Sequence, residues 1–78
     1  MSLNNKLNVG VIGLGHQALE DHIPAILASS DVRLVGVSDI DKSKLESFSK
    51  ENKDIRVYEN FEDLLKSGNL DFVVVAVP

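Results

Sequence analysis

A short turn with two glycines, Gly13-Leu14-Gly15, separates two differently patterned segments near the start of the chain. The residues just before it, Val9 to Ile12, are mostly apolar and β-branched, and such a run predicts a strand. Apolar residues recur at helical spacing after the turn, at Leu19, Ile23, Ile26 and Leu27. This spacing predicts a helix over about 16–28, and Pro24 inside it predicts a kink or a late start of the regular helix.

The rest of the chain repeats this alternation of strand and helix. Further strands are predicted at 33–38, 55–58 and 70–77, where apolar and β-branched residues cluster. A second helix is expected after 33–38, with Asp41 as its N-cap. Its inner face would include Leu45 and Phe48.

A third, short helix is expected between the last two strands. Asn60 is followed three residues later by Asp63, which resembles a capping box at the start of a helix. Gly68 is placed to end this helix. The residues expected on its inner face are Phe61, Leu64 and Leu65.

This order of elements predicts an α/β fold with a parallel sheet and helices on its faces. The continuous apolar run from Phe72 to Val77 supports a parallel sheet, because a strand covered on both faces need not alternate. Right-handed crossovers then place the strands in the order 3-2-1-4. We therefore expect a doubly wound Rossmann sheet, present as its first half.

The length of the chain suggests a part of a larger protein. It has 78 residues, and Pro78 directly follows what should be a central strand. A sheet ending there would leave a strand edge and an apolar face uncovered. We expect residues 1–7 to be a leader and 8–78 to be the N-terminal part of a nucleotide-binding domain. The remainder of that domain and a substrate domain would lie beyond it.

Composition argues against several classes of partner. The net charge is -4 and no basic run is present, so nucleic acid and anionic membrane are not expected to bind. With no cysteine, and only His16 and His22 as histidines, no metal site is expected. The longest apolar run is too short to cross a bilayer. These absences indicate a cytoplasmic setting.

The turn has the spacing of a dinucleotide cradle, G-x-G-x-x-A. A strand that turns sharply into a helix aims free N–H groups at one point, which attracts anions. Gly13 would permit the tight turn, Gly15 would let a pyrophosphate approach the backbone, and Ala18 is small enough for close helix packing. We name residues 13–17 the glycine turn; its candidate cofactor contacts are Gly13, Leu14, Gly15, His16 and Gln17. The alternatives are a purely structural turn and, for His16 and Gln17, a solvent-facing position.

An acidic residue closes the second predicted strand. Asp39 lies a little beyond the roughly 20 residues expected after the glycines, where a carboxylate can accept hydrogen bonds from the adenosine ribose hydroxyls. It would repel a 2′-phosphate, which favours NAD over NADP. Ile40 follows it as a further candidate contact, and Lys42 and Lys44 lie close enough in sequence to soften the preference. The alternative is that Asp39 is a helix cap or a solvated strand end.

Other nucleotide folds fit less well. A P-loop needs a Gly-Lys-Ser/Thr ending, which the chain lacks. A flavin-binding Rossmann domain is compatible with the pattern, although Asp39 suits a nicotinamide enzyme better. A methyltransferase of similar topology usually carries an acid just before its first glycine, where this chain has Val11 and Ile12.

Five segments in register resemble the glucose–fructose oxidoreductase and inositol dehydrogenase family, Gfo/Idh/MocA. They are VGVIGLGHQA, HIPAIL, VRLVGVSDID, VYENFEDLL and LDFVVVAVP, and they cover nearly the whole chain after residue 7.

The resemblance implies a two-domain NAD(P)-dependent oxidoreductase acting on a sugar, cyclitol or related polyol. It implies that the glycine turn wraps the pyrophosphate and that Asp39 contacts the adenosine ribose. Ala76, Val77 and Pro78 would pass beside the cofactor's ribose and nicotinamide, although many relatives have threonine at the position of Val77. The family's catalytic residues come later in sequence, so none is expected within this chain.

The expected function is therefore NAD binding for hydride transfer in a longer enzyme. Its partners would be a small-molecule substrate and, in the intact protein, further copies of the chain. Two alternatives stay open: a non-catalytic NAD(H)-binding regulator, and a reductase of the same fold that acts on an imine or oxo substrate.

Overall fold

The computed structural model describes residues 6–76, which contain a single parallel sheet. Its strands are β1 (Leu7–Ile12), β2 (Val32–Ser38), β3 (Arg56–Tyr58) and β4 (Phe72–Val75). They lie in the order β3-β2-β1-β4, and every neighbouring pair is parallel. This confirms the predicted strand order and the Rossmann-like α/β class.

Helices connect successive strands. A π-helical turn, Ala18–His22, follows β1 and continues directly into α1 (Ile23–Ala28); we call residues 16–28 together the first helix. The other two helices are α2 (Lys42–Glu51) and α3 (Phe61–Lys66). None of the helices within residues 6–76 is both long and apolar enough to cross a membrane.

Side-chain caps fix the starts of α2 and α3, as predicted. The carboxylate of Asp41 accepts from the N–H groups of Ser43 and Lys44 and from the Ser43 hydroxyl. The hydrogen bond from the Ser43 hydroxyl is the main cause that lowers the pKa of the Asp41 carboxyl below its usual value, and the N–H of Lys44 adds to it. The amide oxygen of Asn60 accepts from the N–H of Asp63 at 2.9 Å. Gly68, at φ 84°, follows the end of α3 in a conformation that glycine adopts without strain.

The main core lies between one face of the sheet and the two helices that follow β1 and β2. Its buried apolar residues are Val9, Val11, Leu14, Ala18, Ile23, Leu34, Val37, Leu45 and Phe48. Leu34 and Val37 both face this core although they are three residues apart. A β-bulge explains this, because Val9 and Gly10 of β1 pair with Leu34 and Gly36 of β2 and leave Val35 as the extra residue.

The π-helical turn changes which residues of the first helix face the core. The N–H of Ile23 donates to the carbonyl of Ala18, five residues earlier, immediately before Pro24. In a regular α-helix, residues five apart point about 140° from each other. The wider turn brings Ala18 and Ile23 to the same side, and both are buried.

The helical spacing seen in the sequence was therefore only partly right. Leu19 and Leu27 remain about half exposed, and together with Phe48 they line a groove between α1 and α2. The expected late start of the regular helix is observed, since α1 begins at Ile23 with Pro24 in its first turn. The ring of a proline would clash with the carbonyl four residues earlier in an unbroken α-helix, which accounts for the irregular turn ahead of it.

The opposite face of the sheet packs against α3, whose buried residue is Leu64. Leu64 is 1% exposed and packs over two paired glycines, Gly10 of β1 and Gly36 of β2. A Cβ at Gly36 would lie 2.7 Å from Cδ1 of Leu64 and 3.2 Å from Cε2 of Tyr58. A Cβ at Gly10 would also lie within 3.3 Å of both Leu64 methyl carbons. The absence of side chains on these two glycines lets α3 approach the sheet.

The expected inner face of α3 was wrong for two of its three residues. Phe61 is 51% exposed and Leu65 is 48% exposed. Leu65 follows Leu64 by one position, which turns it about 100° around the helix, while Phe61 begins the helix at its exposed end. Phe72 is also about half exposed, and β4 has a strand neighbour on only one side within residues 6–76.

Substituting Gly36 by alanine should weaken the packing of α3. The added methyl group would overlap Leu64, and we expect the free energy of unfolding to fall by about 1–3 kcal/mol. Leu64→Ala alone should cost about 2–5 kcal/mol because it empties a buried position. The double variant should lose clearly less stability than the sum of the two single losses, since the alanine at position 64 removes the overlap.

Urea unfolding of the intact protein, followed by circular dichroism, measures these differences. Gly15→Ala is the matched control, because a Cβ there meets nothing within 4 Å and should leave stability unchanged. Strictly additive losses in the double variant would contradict the contact between Gly36 and Leu64.

Candidate functional site

The carboxyl ends of three strands meet at one edge of the sheet. The glycine turn leaves the end of β1, and the N–H of Gly13 donates to the carbonyl of Ser38, the last residue of β2, at 2.8 Å. On the other side, the N–H of Ala76 donates to the carbonyl of Ile12 at 2.8 Å. The chain segments that follow β1, β2 and β4 are thus brought side by side, where ligands bind in open parallel sheets.

The glycine turn has the backbone conformation that its sequence predicts. Gly13 has φ 102°, a value that residues with a side chain rarely adopt. The side chain of Leu14 turns inward and is 1% exposed. Its N–H donates to Oδ2 of Asp39 at 2.7 Å, so the turn is tied to β2 at two successive residues.

The next three residues present the backbone to solvent. Gly15 lies where an added Cβ would meet no atom within 4 Å, and His16 and Gln17 are exposed. Within residues 6–76, the N–H groups of these three residues donate to no protein acceptor. The first helix starts here, with the N–H of Leu19 bonded to the carbonyl of Gly15 at 3.0 Å. Unpaired N–H groups at the positive end of a helix form an anion-binding arrangement.

Ala18 occupies the third position of the glycine pattern and is fully buried in the main core. A small residue there lets the first helix lie close to the sheet, which is the packing role expected of this position.

Asp39 lies directly beside the glycine turn. Its Oδ2 accepts from Leu14, and its Oδ1 accepts from the N–H of Asp41 at 2.8 Å. The backbone N–H of Asp39 itself donates to the carbonyl of Tyr58 at the end of β3. A carboxylate has about four lone-pair sites, so two acceptor positions stay free for a ligand's hydroxyl groups.

The residues after Asp39 form an exposed rim. Ile40 is 91% exposed, which is unusual for an isoleucine and leaves an apolar surface next to the carboxylate. Nζ of Lys42 lies 3.9 Å from Oε1 of Glu59, so this cation is directed toward the end of β3. The charge of Lys44 lies beside Asp41.

A side-chain contact on the first helix was not predicted from the sequence. Nε2 of His16 lies 2.8 Å from Oε2 of Glu20, and both side chains are largely exposed. Their i,i+4 spacing is the signal that could have revealed the pair. The bond from Leu14 to Asp39 was also missed, because no sequence pattern specifies contacts between a turn and a side chain 25 residues away.

Some expected site residues cannot be placed. Val77 and Pro78 lie outside the described residues, so the structure locates only Ala76 from that segment. Within the part of the chain that is described, no cluster of three or more histidine or acidic side chains is arranged to hold a metal ion.

Comparison with known proteins assigns the fold to a family. The family GFO_IDH_MocA, described as an oxidoreductase family with an NAD-binding Rossmann fold, matches residues 7–78. No curated protein matches the chain.

Solved structures share the same fold. A dehydrogenase from Chromobacterium violaceum is 32% identical with a TM-score of 0.83, over 95% of this chain and 22% of that chain. The WlbA dehydrogenase from the same organism, in complex with NADH and UDP-GlcNAcA, is 23% identical with a TM-score of 0.81. The match covers 95% of this chain and 21% of WlbA.

A third structure is scyllo-inositol dehydrogenase from Lactobacillus casei with bound NAD(H) and scyllo-inositol. It is 23% identical with a TM-score of 0.80, over 94% of this chain and 22% of that chain. The chain thus spans about a fifth of the length of the solved structures that it matches. Because the family match extends over residues 7–78, the chain belongs to the Gfo/Idh/MocA oxidoreductase family and carries its NAD-binding Rossmann fold.

Proposed function

We propose that this chain binds NAD(H) across the glycine turn and Asp39, as the cofactor-holding part of a dehydrogenase acting on a sugar, cyclitol or related polyol. The observation that carries the proposal is that the carboxylate of Asp39 lies beside a turn where the N–H groups of Gly15, His16 and Gln17 have no acceptor within residues 6–76. The carboxylate suits the adenosine ribose, and the N–H groups suit the diphosphate.

The diphosphate part of the proposal rests on Gly15, His16 and Gln17. Their N–H groups have no acceptor within residues 6–76, and the space above Gly15 is open. A diphosphate can therefore approach the backbone closely and accept several hydrogen bonds at the positive end of the first helix.

The preference for NAD over NADP rests on the charge of Asp39. A carboxylate that accepts the two ribose hydroxyls would lie against a 2′-phosphate, and like charges at that distance repel. Nζ of Lys42 lies 3.9 Å from Oε1 of Glu59, and this carboxylate reduces the positive charge that Lys42 offers against the repulsion. The exposed side chain of Ile40 offers an apolar surface for the adenine ring beside the ribose.

The nicotinamide end is assigned to the segment after β4. Ala76 is hydrogen-bonded to Ile12, immediately before the glycine turn, so a cofactor lying across the turn would reach it. We extend this proposal to Val77 and Pro78 as the next residues in sequence. The bound nicotinamide supplies hydride transfer, and the protein supplies binding and orientation.

The substrate class is proposed from relatives. Two proteins of the same fold are complexes with UDP-GlcNAcA and with scyllo-inositol, both rich in hydroxyl groups. Since about four fifths of those chains lie outside the match, we assign only cofactor binding to residues 8–78. The catalytic and substrate-contacting residues would belong to the parts of the intact protein beyond them.

Gly15→Ala should weaken cofactor binding without affecting the fold. Its methyl group would enter the open space where the diphosphate is proposed to approach, and we expect the affinity for NADH to fall at least about ten-fold. Isothermal titration of the intact protein measures the affinity, and circular dichroism checks the fold. Ser47→Ala, on an exposed position of α2, is the control. Unchanged NADH affinity in Gly15→Ala would place the diphosphate elsewhere.

Asp39→Ala should reduce the preference for NADH over NADPH. Loss of the ribose acceptor should weaken NADH about ten-fold or more, while NADPH should lose less because the repulsion of its phosphate is also removed. Fluorescence titration with both cofactors measures the ratio. Asp54→Ala removes an exposed carboxylate from the loop before β3 and should change neither affinity. An Asp39→Ala variant that binds NADH as tightly as the parent would refute the assignment.

The same purified parent protein tests the substrate class. Incubation with NAD and a panel of sugars, cyclitols and polyols should produce NADH with at least one of them. Tight NADH binding without turnover on any of these substrates would reject the polyol assignment and leave the cofactor assignment standing.

A further inference from the structure

The hydrogen bond between Leu14 and Asp39 points to a second role for the carboxylate. Leu14 lies inside the glycine turn, directly after the residue with φ 102°, and its N–H is partly buried. Its acceptor is Oδ2 of Asp39 at 2.7 Å. An N–H that is partly withdrawn from water is costly to leave without an acceptor, and this carboxylate is the acceptor that Leu14 has.

The other carboxylate oxygen fixes the position of Asp39 itself. Oδ1 accepts from the N–H of Asp41, the residue that caps α2. The side chain therefore links two connections, the one from β1 into the first helix and the one from β2 into α2. Neither bond requires a cofactor to be present.

We infer that Asp39 is a positioning residue for the glycine turn, in addition to its proposed contact with the ribose. By holding Leu14, it orients the N–H groups of Gly15, His16 and Gln17 toward the point where the diphosphate binds. This inference rests on the proposed function for its consequence, although the hydrogen bond on which it stands is independent of any ligand.

A ligand without ribose separates the two roles, because they predict opposite changes in its affinity when Asp39 is removed. Inorganic pyrophosphate carries the anionic groups but has no hydroxyl for Asp39 to accept. If Asp39 served the ribose alone, its removal would eliminate a negative charge near an anion, and pyrophosphate affinity would stay equal or rise. If Asp39 positions the turn, the same substitution should weaken pyrophosphate binding despite the favourable change in charge.

The conservative variant Asp39→Asn provides the rescue. An asparagine keeps one carbonyl oxygen that can accept from Leu14, whereas its NH₂ group cannot accept from Asp41. The N–H of Asp41 is exposed and can bond to water instead. Asp39→Asn should therefore retain the turn without the negative charge and bind pyrophosphate at least as well as the parent.

The experiment uses ¹⁵N-labelled intact protein in three forms: the parent, Asp39→Ala and Asp39→Asn. Pyrophosphate is titrated against the amide signals of Gly15, His16 and Gln17, and hydrogen exchange of the Leu14 amide is followed in parallel. We expect Asp39→Ala to bind pyrophosphate about ten-fold more weakly, the change that corresponds to one lost hydrogen bond. Its Leu14 amide should exchange faster, and both properties should be restored in Asp39→Asn. Asp54→Ala serves as the control for net charge.

Pyrophosphate affinity that is equal or higher in Asp39→Ala, with unchanged exchange at Leu14, would overturn the inference. If the parent binds neither pyrophosphate nor NADH, the proposed function fails. Exchange at Leu14 still decides the positioning role in that case: faster exchange in Asp39→Ala alone supports it, and equal exchange in all three proteins rejects it.

Discussion

The reversal of the chain at Gly13 determines where everything else at this edge of the sheet can lie. A strand in the centre of the sheet ends there, and the backbone adopts φ 102° before entering the first helix. Two hydrogen bonds to the end of β2 hold this reversal, from Gly13 to the carbonyl of Ser38 and from Leu14 to the carboxylate of Asp39. The exposed N–H groups that follow are therefore a consequence of the way β1 and β2 are joined.

Small residues allow this arrangement to pack. Ala18 lets the first helix lie against the sheet on one face, and the paired Gly10 and Gly36 receive Leu64 on the other. On the first face, the bulge at Val35 and the π-helical turn before Pro24 each shift a side-chain pattern by one residue. Without those two irregularities, Leu34 and Ile23 could not both face the core together with Val37 and Ala18.

The sequence predicted the order of elements, the strand order and the caps at Asp41 and Asn60, because these depend on local patterns and on the handedness of crossovers. It predicted burial less well. Leu19 follows helical spacing but is half exposed, because spacing assumes 3.6 residues per turn and the π-helical turn departs from it. Phe61 and Leu65 are apolar but exposed, because a helix of six residues seats only Leu64 between the two glycines.

The residues of the candidate site were predicted from sequence spacing, but the contacts among them were not. Sequence spacing indicated that Gly13, Gly15 and Asp39 belong to one crevice, since the ends of neighbouring parallel strands share an edge. The hydrogen bond between Leu14 and Asp39, and the contact of His16 with Glu20, depend on side-chain geometry that only the folded chain shows. The bond from Leu14 joins the turn and the acidic residue into one connected unit.

A crystal structure of the intact protein with NADH would test the central claim most directly. The account predicts adenosine ribose hydroxyls within about 3 Å of the Asp39 carboxylate, and a diphosphate hydrogen-bonded to the N–H groups of Gly15, His16 and Gln17. A diphosphate bound away from the glycine turn, or a ribose that makes no contact with Asp39, would contradict it.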